Sequence, residues 1–140
     1  MENDLILRKL ENLRFYLQRV KEKTPSSFDL LCDDLDAQDI IVLNLERAIQ
    51  ECVDIALHII SEDNSIPVPD SMAQAFLTLR QMNVISAETA QNLAKAVGFR
   101  NIAVHAYQQI DWQIVYQIIT SKLDDFKKFA QEITTNRQIL

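Results

Sequence analysis

The chain contains one glycine, Gly98, in 140 residues, against a usual share of about 7%. That scarcity removes a set of glycine-dependent devices together: phosphate-cradling P-loops, the tight turn of a dinucleotide-binding fold, and two-residue hairpin turns that need positive φ. A chain that can rarely adopt φ > 0 cheaply, and that is rich in Leu, Ile, Ala, Gln, Glu and Lys, is most easily built from helices joined by brief polar links. The fold class expected is therefore all-α. At 48% hydrophobic residues the chain can bury a real core as one domain spanning 1–140.

Apolar periodicity places the helices. Leu5, Ile6, Leu10, Leu13, Leu17 and Val20 recur at steps of three and four, which predicts an amphipathic helix over 4–23 that stops before Thr24-Pro25. Phe28, Leu30 and Leu31 suggest a short helical turn, after which Asp36 or a neighbour caps a long helix reaching about Ser61. Apolar positions from Ile40 to Ile60 cover more than half of its circumference, so this helix is expected at the centre. Pro67 and Pro69 mark a linker, and Asp70 or Ser71 opens a third helix through about Met82. Ser86 opens a fourth that runs on towards Tyr107, and Asp111 caps a last one with Ile114 to Ile133 turned inward. About five helices with short connections make an up-and-down bundle.

Cys32 and Cys52 lie in apolar runs at a spacing that fits no zinc pattern, so both are expected as core thiols and no metal site is expected. No window reaches the roughly 18 uncharged apolar residues of a membrane span, and the first ten residues lack a signal core, which points to the cytoplasm. The net charge of -6 argues against non-specific nucleic-acid affinity. Its distribution qualifies this: residues 1–23 carry +2, residues 24–88 carry -10 and residues 89–140 carry +2. The acidic stretch from Asp29 to Asp70 reads either as a solvated face or as a surface for a basic partner; in the second case any nucleic acid would have to enter by the less acidic face with Lys95, Arg100 and Lys122.

Most of the sequence is what any helical bundle needs. The exception is the segment from Gly98 to Tyr107, which gathers Arg100, Asn101, His105 and Tyr107. Metal-free RNA cleavage requires a group to take the 2′-hydroxyl proton, a group to protonate the departing 5′-oxygen, and a cation on the crowded phosphorane. Histidine suits either proton role, and the arginine fork matches two phosphate oxygens. The other histidine, His58, sits amid Ile55, Ala56, Ile59 and Ile60 and reads as a packing or helix-face residue. A complete acid and base pair therefore requires two chains, each contributing His105. At ~100° per residue, Arg100 and His105 lie about 140° apart on a straight helix, whereas Arg100 and Tyr107 nearly coincide. A helix ending near Tyr107 would hold His105 in its final turn, where the dipole favours a cationic side chain, as suits a general acid. On spacing alone, an Arg, a His and a Tyr on a helix are more often a salt bridge, a capped core histidine and an interface aromatic than a site.

The pattern Arg100-x4-His105-x-Tyr107 resembles the R-x4-H-x-Y signature of the HepT toxins within the HEPN ribonuclease superfamily. The segments 45–50, 54–60, 84–85, 98–101 and 123–126 resemble its usual landmarks in the right order, while residues 1–35 are generic. The resemblance implies an all-helical HEPN-like homodimer in which Arg100 and His105 of both copies line a cleft and cut RNA without a metal or cofactor. It also implies a partner, an MNT-type nucleotidyltransferase antitoxin, that transfers AMP to Tyr107. Phosphates attached there would occupy the Arg100 fork and repel RNA. His105 is then the proton-transfer residue and Arg100 the phosphate clamp. Asn101 orients His105 or the phosphate, and Glu46 is a supporting acid or equally a helix-surface charge or a partner for Arg47 or Arg100. The alternative is a non-catalytic HEPN module that docks a nucleotidyltransferase. Gly98, two residues before Arg100, marks either close helix packing or a local helix end, or a bend or cleft wall that serves the site.

Overall fold

The computed structural model describes residues 3–139. Its helices are α1 (Asp4–Lys23), α2 (Phe28–Asp33), α3 (Leu35–Ser61), α4 (Met72–Gln81), α5 (Ala87–His105), α6 (Trp112–Gln117) and α7 (Asp124–Asn136). A 3-10 turn, Tyr107–Gln109, follows α5, and a π-helical turn, Ile118–Lys122, joins α6 to α7. No strand occurs among the described residues, and no helix is long and apolar enough to cross a membrane.

Helix starts follow capping chemistry. Ser27, Asp34, Ser71 and Ser86 each accept a hydrogen bond from the backbone N–H three residues on, and Asp111 accepts from Gln113. The cap of the long helix is thus Asp34, the neighbour of Asp36 in the same acidic cluster. With glycine unavailable, the chain ends α4 and α7 by placing Asn83 and Gln138 at φ 62° and 58°. Val84 N then donates to Leu79 O, and Ile139 N to Thr134 O, closing Schellman-type ends without a glycine.

The helix α3 is the axis of the bundle: α1, α2, α4 and α5 all pack on it, and α7 packs on α5. Its buried side chains include Ile41, Leu45, Ala48, Cys52, Ile55, Ala56 and Ile59. On the far side, Phe76 of α4 meets Phe129 of α7 edge to face at 5.8 Å, both fully buried. Lys9 ties α1 to α3 through Asp54 at 3.1 Å and Glu51 at 3.5 Å.

Three expectations are corrected. Cys52 is buried, and burial pushes its thiol pKa far up, but Cys32 is exposed because α2 is short and turns only Leu31 inward. Ile114 is exposed rather than inward-facing. The last helix is three pieces, not one: Thr120 and Ser121 bond their hydroxyls back to Tyr116 O and Gln117 O, a competition with the backbone ladder that accompanies the π turn.

Candidate active site

The residues gathered by the signature sit at the C-terminal end of α5 and just beyond it. His105 is the last residue of that helix and is exposed; Ala106, at φ -148° and ψ 53°, breaks the helical path. Tyr107 therefore lies in the 3-10 turn, and its angular coincidence with Arg100 on an extended helix does not arise. Its hydroxyl instead donates to Asp39 Oδ1 on α3, 68 residues away, while its ring meets Trp112 edge to face at 6.2 Å. Burial, then Asp39 and Glu46, push the phenol pKa well above its usual range, so the oxygen keeps its proton at neutral pH.

Arg100 is half-buried and reaches back across α3. One guanidinium nitrogen donates to Asn101 Oδ1 at 3.3 Å and another to Gln50 Oε1 at 3.4 Å. Gln50 is itself held, because its amide donates to Asp54 Oδ1 at 2.8 Å, and Asp54 is the carboxylate that receives Lys9. A polar chain thus runs from α1 through α3 to Arg100. Asn101 supports the arginine, not the histidine, in this arrangement. Glu46 is half-buried one turn before Gln50; burial raises its pKa, and Arg100 and Arg47 partly oppose that rise. The arginine and Glu46 are therefore electrostatic neighbours.

None of the described hydrogen bonds or ion pairs joins Arg100 to His105. A single chain presents them as separate groups on one helix end, flanked by exposed Ile102 and Val104. His58 stands at the other end of α3, half-buried and 3.6 Å from Glu62, which also pairs with Arg137; this is the packing and helix-face role expected of it. Beside Arg100 on α5, Lys95 and Phe99 line a cavity of about 250 Å³ with Lys122 and Ile114, which brings together the two lysines expected on an RNA-facing side. No three His, Cys, Asp or Glu side chains cluster among the described residues as a metal site would need.

Sequence spacing singled out Arg100, Asn101, His105 and Tyr107, and the family resemblance added Glu46; neither singled out Asp39 or Gln50. Both are ordinary polar positions on the long helix, and only the packing of α5 and its following turn on α3 reveals what they hold.

Comparison with known proteins is consistent from end to end. The family described as ribonuclease HepT-like matches residues 9–133. The mRNA nuclease HepT of Shewanella oneidensis is 34% identical over 131 residues, covering 94% of this chain and 97% of that protein. The tRNA nuclease HepT of Aphanizomenon flos-aquae is 27% identical over 135 residues, covering 96% and 91%. Among solved structures, the tri-AMPylated Shewanella oneidensis HEPN toxin in complex with MNT antitoxin superposes with a TM-score of 0.88 at 34% identity, covering 95% of this chain and 98% of that one.

Proposed function

This chain belongs to the HepT-like ribonuclease family, and from that premise we propose that it is the toxin of a toxin–antitoxin pair, a cytoplasmic, metal-independent endoribonuclease whose site forms between two copies. In this reading His105 transfers protons, Arg100 clamps the phosphate, and Tyr107 receives AMP from an MNT-type nucleotidyltransferase antitoxin. The observation that carries it is the termination of α5 at His105: the helix delivers the imidazole exposed at its C-terminus, with Arg100 braced behind it by Gln50 and Asn101.

The chemistry divides between two needs. A dianionic phosphorane is stabilised by a fixed guanidinium with donors already aimed, and the brace from Gln50 reduces what Arg100 must reorganise on binding. Proton transfer needs one group for the 2′-hydroxyl and another for the 5′-oxygen. One chain has one imidazole at this place, so the second copy supplies the other. Ile102 and Val104, 46% and 45% exposed, give the second copy apolar surface beside the histidine.

Silencing follows from charge. An AMP on Tyr107 brings phosphate next to Asp39 and Glu46, which repel it, and Glu46 is in turn an electrostatic neighbour of Arg100. The favoured outcome is a phosphate seated in the arginine fork that RNA would otherwise use. Degradation of RNA in EDTA by the purified chain, lost on His105→Ala with helicity intact, is the expected result. Activity that needs a divalent metal, or that survives His105→Ala, would contradict this reading and favour the non-catalytic module.

A further inference from the structure

Asp39 is the group that the proposed chemistry leaves unused, although it touches the very oxygen that would be modified. Its Oδ1 accepts the hydrogen bond of Tyr107 Oη, and no other described hydrogen bond or ion pair engages its carboxylate. In this it differs from Asp54, which is shared by Lys9 and Gln50. Both members of the pair are exposed, Tyr107 to 38%, so a nucleotide can reach the phenol oxygen without dismantling the contact. Trp112 fixes the ring from the side.

We propose that Asp39 is the base for AMP transfer: its Oδ1 takes the proton of Tyr107 Oη as that oxygen attacks the α-phosphorus of ATP. The Oη–Pα bond forms, the bond from Pα to the bridging oxygen of pyrophosphate breaks, and the electron pair leaves on pyrophosphate. The proton passes from Oη to the Asp39 carboxylate and from there to water. The toxin thus supplies part of the machinery for its own silencing. A phenol holds its proton at neutral pH, and partial burial, Asp39 and Glu46 raise its pKa further, so attack as a ready-made phenolate is disfavoured and removal of the proton during attack is what a positioned carboxylate offers. Once AMP is in place the hydrogen bond is gone and two like charges face each other, so the product leaves Asp39 rather than resting on it.

This inference rests on Tyr107 being the acceptor, and the test separates the two. The complex of toxin with its nucleotidyltransferase is supplied with ATP and magnesium, and AMP incorporation is followed by intact mass under single-turnover conditions. Asp39→Asn keeps an oxygen that accepts the tyrosine hydrogen bond but cannot take the proton. It is expected to slow incorporation by about a hundredfold or more, with the ATP concentration dependence and the thermal midpoint unchanged, and Asp39→Glu is expected to regain part of the rate. Incorporation at the wild-type rate in Asp39→Asn would assign the base to the nucleotidyltransferase and overturn the proposal. So would a loss expressed only in the ATP dependence, or one that Asp39→Glu does not relieve. Persistent incorporation in Tyr107→Phe would instead overturn the acceptor assignment itself.

Discussion

Gly98 lies within an unbroken α5, exposed, and a Cβ added there meets nothing within 4 Å. Neither a helix end nor close packing within the chain explains it, so the conformational cost of glycine in a helix interior stands without a visible compensation. Gly98→Ala is expected to raise stability by about 1 kcal/mol, read as a shift in the urea midpoint, with RNA cleavage retained; stability gained and cleavage lost would place the second copy against that face. Glu46 makes the opposite trade. Its pKa is raised by burial despite Arg100 and Arg47, so the folded chain binds its proton more tightly than the unfolded chain does. Its contribution to stability is full below the unfolded pKa and is lost as pH rises through the folded one. Glu46→Gln is therefore expected to melt higher than wild type at pH 7, with the difference closing near pH 4; a difference independent of pH would refute the assignment. Arg100 and His105 were singled out as candidates by the sequence because their chemistry is confined to one short segment. Gln50 and Asp39 were not, because they reach the site across separations of 50 and 68 residues, and neither carries a local mark.

Helices whose boundaries depend on neighbouring residues were readable: α1 spans the expected 4–23, and Ser71 and Ser86 cap where hydroxyls precede apolar runs. The end of α5 falls at His105, two residues short of the expected Tyr107: nothing between Ala103 and Tyr107 breaks a helix by propensity, and it stops because the Ala106 backbone leaves the helical region and Tyr107 is drawn to α3. The start of α5 is secured from a distance. Glu132 of α7 accepts from Ser86 N at 2.6 Å, Ser86 Oγ at 3.2 Å and Thr89 Oγ1 at 2.7 Å, which adds a carboxylate to the positive end of the helix. Ser86 Oγ still caps Thr89 N without it. Glu132→Ala should therefore cost stability of about 1 kcal/mol, chiefly for the buried Thr89 hydroxyl because Ser86 is exposed to water, measured by urea unfolding, while far-UV dichroism at low denaturant stays unchanged. A neutral substitution would show that water replaces the carboxylate fully.

At the scale of the whole molecule, one chain presents Arg100 and His105 on the same helix end with no described hydrogen bond or ion pair between them, and offers one imidazole there where the proposed cleavage needs two proton transfers. The all-α fold was legible because composition excludes the alternatives, but assembly is not written in helical periodicity: exposed Ile102 and Val104 look like any other apolar positions until they are found outside the core. If both copies of His105 serve one cleft, a dimer with a single His105→Ala subunit is dead, and activity follows the square of the wild-type fraction. Equal amounts of wild-type and His105→Ala chains, allowed to exchange subunits, should then retain about a quarter of the activity of an all-wild-type sample at the same total concentration, as random pairing in a two-fold dimer requires. Self-sufficient chains would retain about half under the same pairing statistics. The two outcomes are distinguished by titrating the variant into a fixed total of protein and following RNA cleavage in EDTA: a quadratic fall places the acid and the base on different chains, and a straight line returns both to one.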